Sequence, residues 1–107
     1  MAFYELRRYT VRPGKMEQWL AFMEGTIIPF QVSKGMVITG SSRGEEDDSV
    51  YVWIRRFASE AERERLYEAV YGSDEWTNEI APRVGELIDR DGINVQRIVP
   101  TPKSVAQ

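Results

Sequence analysis

Two residue types that carry much of enzyme chemistry are absent from this 107-residue sequence, namely histidine and cysteine. Without histidine, the chain has no imidazole for a haem, for most zinc sites, or for a Ser–His or Cys–His dyad. Without cysteine, it has no disulfide, no iron–sulfur cluster and no thiol nucleophile. Any acid–base chemistry therefore falls to Asp, Glu, Tyr, Lys or the chain termini, and the sequence indicates no metal and no organic cofactor.

The sequence also lacks the features of a membrane or nucleic-acid-binding protein. No segment approaches the ~20 apolar residues of a membrane span, and the first residues, MAFYELRR, do not read as a signal peptide. The formal net charge of −3 argues against nucleic acid or an anionic membrane as the partner. Because a small domain without disulfides fits a reducing compartment, we expect a cytoplasmic protein.

The periodicity that is present predicts one domain over residues 1–107, with 100–107 as an extended tail. Apolar residues recur at helical spacing in three segments and follow strand patterns in four others. The predicted strands are 3–11, 35–42, 49–57 and a last strand from residue 93, and the predicted helices are 15–30, 59–71 and 73–90. No internal repeat or linker interrupts this order.

Capping and helix-breaking residues predict where these helices begin, bend and end. Ser59 begins a capping box, which is a typical helix start. Pro29 and Pro82 interrupt apolar helical patterns, so we expect a kink or an early end at each. The Asp–Gly pair at 91–92 predicts the end of the last helix.

The resulting order, β-α-β-β-α-α-β, predicts an α+β fold, a ferredoxin-like sandwich with a four-stranded antiparallel sheet. In that fold the helices cover one face of the sheet, and the usual strand order is 4-1-3-2. The first and third strands are then central neighbours. The other face stays bare unless a second copy covers it, so we expect a homodimer in which two sheets meet.

Four segments of the chain together resemble the NIPSNAP family. They are YELRRYTVRPGK at 4–15, VYVWIRRFASEAERERL at 50–66, SDEW at 73–76 and IVPTPKS at 98–104. The resemblance spans nearly the whole chain and implies a dimeric α+β barrel, and thus a homodimer, more firmly than it implies a reaction. Relatives by fold include cofactor-independent monooxygenases, small-molecule cyclases and isomerases, and haem-handling enzymes, so fold alone assigns no activity.

The candidate site is a polar row shared by the first and third strands. Successive strand residues face opposite sides, and the mixed sides carry Glu5, Arg7 and Tyr9 on the first strand and Tyr51, Trp53 and Arg55 on the third. Arg7, Trp53 and Arg55 are the candidate ligand-binding residues, because arginine forks hold an anion or a carbonyl while rings stack on its apolar body. Glu5 is the candidate general base, and Tyr9 and Tyr51 are candidate acids.

Two interpretations of this row stay open. In the first, the row lines a pocket that binds, and can convert, a small organic molecule. In the second, Glu5 and an arginine form a structural ion pair among core aromatics, and the protein is a non-catalytic dimeric interaction module. Asn94 and Gln96 share one side of the last strand and can face either the same cavity or solvent. The charged helix segment ERER, at 62–65, is expected to be a solvated face.

Overall fold

Four strands and four α-helical segments make up the computed structural model, which describes residues 1–107. The strands are β1 Phe3–Val11, β2 Val37–Arg43, β3 Val50–Phe57 and β4 Ile88–Ile98. The helices are α1 Met16–Phe22, α2 Ile28–Ser33, α3 Glu60–Tyr71 and α4 Ala81–Leu87. A π-helical turn at Met23–Ile27 joins α1 to α2, and a second, at Trp76–Ile80, leads into α4.

The sheet has the order β2-β3-β1-β4, and every neighbouring pair is antiparallel. This confirms the α+β class and the predicted order 4-1-3-2, with β1 and β3 in the centre. The register between the two central strands aligns their mixed faces: Glu5 lies opposite Arg55, Arg7 opposite Trp53, and Tyr9 opposite Tyr51. The polar row is therefore continuous across two strands.

Before each of these two prolines the helix widens into a π-helical turn, and the chain stays helical beyond the proline. Each π-helical turn finishes two residues before a proline, Pro29 in one case and Pro82 in the other. Proline lacks an N–H and its ring clashes with the carbonyl four residues earlier in an α-helix, and a wider turn relieves both problems. No helix of the protein has the length and apolar character needed to cross a membrane.

The start of β4 differs from the sequence prediction. The helix ends at Leu87, and the strand begins at Ile88 and continues through the Asp–Gly pair at 91–92. At this point the pairing with β1 shifts register, from Asp89 opposite Thr10 to Asn94 opposite Arg8. The Asp–Gly pair therefore belongs to a bulge in the strand, not to a helix end, because the same residue types serve both purposes.

The core lies between the sheet and the helices, where 18 buried apolar side chains form one cluster. The polar row of β1 and β3 faces this side, because Glu5, Tyr9, Tyr51, Trp53 and Arg55 are all buried there. On the opposite face, the tail after β4 turns back over the sheet. Its last residue accepts hydrogen bonds through its backbone oxygen from the Tyr4 hydroxyl at 3.0 Å and from Arg56 Nε at 2.6 Å.

Candidate functional site

Arg55 is the centre of a buried polar network beneath the helices. Its side chain and that of Glu5 are both fully buried, and Arg55 Nη2 donates to Glu5 Oε1 at 2.8 Å. Nη2 also donates to the Tyr67 hydroxyl at 2.9 Å, and Nη1 donates to Tyr71 at 2.7 Å and to Gln31 Oε1 at 2.9 Å. The guanidinium also lies over the Trp53 ring, 4.8 Å from its centroid. The network therefore joins β1, β3, α2 and α3 through one cation.

Helix α3 supplies three of the partners because its polar residues repeat every four positions. The helix begins where the Ser59 hydroxyl accepts the Glu62 backbone N–H at 3.1 Å, as the capping box predicted. Arg63, Tyr67 and Tyr71 then follow at intervals of four, so they share one face of the helix. That face turns towards the sheet, and its partly buried polar atoms meet Glu5 and Arg55.

The Glu5 carboxylate is saturated by donors. In addition to Arg55, it accepts from Arg63 Nε at 2.8 Å and from the Tyr67 hydroxyl at 2.7 Å to each oxygen. Burial on its own would raise the pKa of Glu5, but the hydrogen bonds from Arg63 and Tyr67 and the charge of Arg55 outweigh it and lower the pKa to about 2. Burial and the hydrogen bond to Glu5 help to raise the pKa of Tyr67 to about 12. Glu5 is therefore ionised and Tyr67 neutral at any physiological pH.

Arg7 occupies a different position from the other two arginines. Its nearest carboxylate oxygen is Glu5 Oε1 at 3.6 Å, which is an ion-pair distance but longer than a hydrogen bond. Its hydrogen bonds go instead to phenols: Nε donates to Tyr9 at 3.0 Å and Nη1 donates to Tyr67 at 3.4 Å. The side chain is 14% exposed. Because the short contacts of Glu5 are with Arg55 and Arg63, the charge of Arg7 is the least compensated of the three arginine charges.

A cavity of about 190 Å³ lies beside Arg7, between the sheet and the helices. Its wall is mainly aromatic and aliphatic, and it contains two arginines and no Asp or Glu. The lining residues are Arg7, Tyr9, Trp19, Met23, Ile27, Trp53, Tyr71, Trp76, Val84, Arg90 and Ile93.

The irregular parts of the fold contribute to this wall. The first π-helical turn supplies Met23 and Ile27, and the second supplies Trp76. The bulge of β4 supplies Arg90 and Ile93. π-Helical turns and bulges are frequent at functional sites because each redirects side chains that regular geometry would place elsewhere. The cavity therefore exists where the helices and the last strand depart from ideal geometry.

The sequence profile of the NIPSNAP family matches residues 4–104. The chain belongs to the NIPSNAP family. Among curated proteins, no sequence matches this NIPSNAP chain.

Solved NIPSNAP structures have the same fold. A NIPSNAP family protein from Agrobacterium tumefaciens is 20% identical, has a TM-score of 0.88, and both chains are covered over 100% of their length. A second protein of the family from that organism, of unknown function, is 22% identical with a TM-score of 0.88 over 99% of this chain and 94% of that one. A NIPSNAP-like domain protein from Burkholderia xenovorans is 17% identical with a TM-score of 0.85, over 96% of this chain and 88% of the other. At these identities the likeness shows the fold alone.

The predicted site residues of this NIPSNAP chain divide into two groups. Arg7, Tyr9 and Trp53 line the cavity. The other three lie behind its wall: Glu5 and Arg55 in the buried network, and Tyr51 with its hydroxyl 2.6 Å from Ser41 Oγ. Burial helps to raise the pKa of Tyr51 to about 12. These positions do not suit the expected roles of Glu5 as a base, Tyr51 as an acid, or Arg55 as a direct ligand contact.

The structure gives several residues a place that the sequence pattern does not indicate. Arg63 is expected on a solvated helix face, whereas it donates to buried Glu5; the spacing of four from Arg63 through Tyr67 to Tyr71 is the available signal. Asn94 and Gln96 lie on the opposite face of the sheet, because they pair with Arg8 and Leu6 of β1 and not with the polar row. For Arg90 no sequence signal existed, because its place depends on the register shift of β4.

Proposed function

We propose that this NIPSNAP chain binds a small organic molecule with a carbonyl or anionic group in the cavity between sheet and helices. One observation carries the proposal: Arg7 lines an aromatic cavity while its nearest carboxylate is shared with two other arginines. A charge that is mostly buried and poorly compensated is costly unless a ligand or solvent completes its shell. Concave aromatic pockets with a few polar groups are the usual form of small-molecule sites.

The same geometry favours binding over acid–base catalysis. No carboxylate lines the cavity, and Glu5 has a pKa of about 2, so it is a weak base. Tyr9 is the one predicted acid–base residue in the wall, with its hydroxyl held by Arg7 Nε at 3.0 Å. Cofactor-independent conversion would therefore depend on Tyr9. For such a reaction, Tyr9→Phe is expected to abolish turnover while ligand binding persists.

The test of binding is native mass spectrometry of the protein purified from its own host, combined with thermal unfolding against a panel of small neutral carbonyl and anionic compounds. The expected result is a co-purifying small molecule or a compound that raises the unfolding midpoint. Two matched variants locate the bound molecule: Val84→Phe narrows the cavity, whereas Val32→Phe makes the same change at an exposed position of α2. Ligand should be lost from the first and kept by the second. If nothing co-purifies and no compound shifts the midpoint, the proposal is wrong.

We also propose a homodimer formed through the sheet face opposite the helices. The support is a set of apolar residues on that face, which lie beside Arg8, Asn94 and Gln96: Leu6, Val52 and Ile54 are only half-buried, and Val37 and Ile98 are exposed. A second copy would remove this area from water. Light scattering should give twice the chain mass of 12.4 kDa, and a single-chain mass contradicts the dimer. A dimer without any ligand would favour the alternative function, a non-catalytic interaction module.

The cytoplasmic location stays a prediction from composition. Fractionation of host cells, followed by detection of the chain with an antibody, checks it directly.

A further inference from the structure

The polar atoms of the cavity wall are predominantly hydrogen-bond donors. Arg7 and Arg90 carry only donors, and no Asp, Glu, Asn or Gln side chain lines the cavity. The hydroxyls of Tyr9 and Tyr71 accept from Arg7 and Arg55, respectively, which leaves their own protons free to donate. A wall rich in donors and poor in acceptors suits a ligand that brings acceptors.

The charges of the wall favour one negative group on that ligand. Arg7 is the one mostly buried cation in the wall, and no carboxylate faces it across the cavity. Arg90 is exposed and its guanidinium is already held by the backbone oxygen of Ala81. Burial would lower the pKa of Arg7, but the oxygens of Tyr9 and Tyr71 raise it overall, so the guanidinium stays charged. One buried cation matches a single anion, and a planar guanidinium suits a carboxylate.

The volume and the walls limit the rest of the molecule. A cavity of 150 Å³ lined by apolar side chains accommodates benzene, and this cavity has about 190 Å³. The difference leaves room for one small polar group besides a ring. The wall contains five aromatic rings that can pack against a flat body: Tyr9, Trp19, Trp53, Tyr71 and Trp76.

We infer that the ligand of this cavity is a flat monocarboxylate about the size of one six-membered ring, with its carboxylate on Arg7 and its ring among the tryptophans. This inference rests on the proposed function and narrows it to a substrate class. Glu5 has a positioning role in this arrangement, because its ion pairs with Arg55 and Arg63 leave Arg7 available.

The test compares benzoate with benzamide, which has the same shape and no charge, by isothermal titration calorimetry. All three tryptophans of the chain line the cavity, so a change in intrinsic fluorescence reports that a probe has entered it. A charge-assisted hydrogen bond contributes more binding free energy than a neutral one. We therefore expect benzoate to bind at least about tenfold more tightly than benzamide. Arg7→Met should remove this preference and Arg7→Lys should keep part of it. Arg8→Met is the matched control, because Arg8 is exposed on the opposite face of the same strand, and it should keep the full preference.

Three results would overturn the inference: equal affinity for the two probes, an equal loss of preference in Arg7→Met and Arg8→Met, or benzoate binding without a change in tryptophan fluorescence. None of these results removes the proposed function, because a neutral ligand can still occupy the cavity. If neither probe binds but another small molecule co-purifies with the protein, the substrate class is wrong and the binding function stands. If neither probe binds, nothing co-purifies and the compound panel has no effect, both are wrong.

Discussion

Replacing Glu5 with glutamine removes the only carboxylate among the fully buried residues and keeps the size of the side chain. In the wild type, that carboxylate holds Arg55, Arg63 and Tyr67 at 2.7 to 2.8 Å. After the change, the arginines keep their charges but lose the negative partner. Removing one partner of a buried ion pair is among the more destabilising single substitutions.

The magnitude follows from the pKa of Glu5, which falls from 4.5 to about 2 on folding. At about 1.4 kcal/mol for each pH unit, the ionised carboxylate contributes about 3 kcal/mol to the free energy of unfolding. Because the folded pKa is the lower one, this contribution is fully present above pH 4.5 and is lost as the pH falls towards 2. The total free energy of unfolding of such a domain is about 5–15 kcal/mol, so the change is large.

The assay is urea unfolding, followed by tryptophan fluorescence, at a series of pH values between 7 and 2.5. The free energy of unfolding of the wild type should exceed that of Glu5→Gln by about 3 kcal/mol at pH 7, and this difference should shrink below pH 4.5. The control is Glu86→Gln, which breaks an exposed pair with Arg83 (the Glu86 side chain is 63% exposed) and should cost less than about 1 kcal/mol. A difference between wild type and Glu5→Gln that stays constant across the pH range would refute this account of the network.

Three further substitutions test separate parts of the structure. Tyr67→Phe removes a donor 2.7 Å from Glu5, so it should cost about 1–3 kcal/mol and raise the pKa of Glu5; an unchanged pH profile of unfolding would contradict this. Ser59→Ala removes the cap of α3 and should cost about 1 kcal/mol by urea unfolding, whereas a neutral result would mean that the cap is dispensable. Gly35→Ala should lower the thermal midpoint, because Gly35 has φ +108° and a Cβ there would lie 3.0 Å from a leucine methyl. Its control, Gly25→Ala, meets no atom within 4 Å and lies in a helical turn, so it should be neutral or stabilising; equal effects of the two would exclude backbone strain as the cause.

Local patterns predicted the elements well where one signal had one meaning. The alternation in VYVWIRRF gave β3, and the Ser59 cap gave the start of α3, both as observed. The Asp–Gly pair at 91–92 is ambiguous because it can end a helix or occupy a bulge, and only its pairing with β1 distinguishes the two. The prolines were recognised as irregularities, but whether a helix kinks or widens depends on the packing of its two ends.

For the candidate site, the sequence indicates which residues share a face of the sheet but not which of them line the cavity. The six residues named from sequence do share one face of the two central strands, as the register of β1 and β3 required. Three of them line the cavity and three lie behind its wall, where α3 supplies partners to Glu5 and Arg55, and β2 supplies Ser41 to Tyr51. Arg63 and Tyr67 lie 58 and 62 positions from Glu5 in the chain, and no local pattern encodes such a contact.

By itself, the sequence determined the order of helices and strands, the two faces of each strand, and the absence of the residues that thiol or imidazole chemistry needs. These properties depend on neighbours a few positions away, which periodicity and turn chemistry describe. Only the tertiary structure decided that the polar row faces the helices, and that Glu5 belongs to Arg55 and Arg63 and not mainly to Arg7. The physical reason is that hydrogen-bond partners and cavities arise from contacts between distant segments, and a displacement of about 1 Å separates a short ion pair from a cation left open to a ligand.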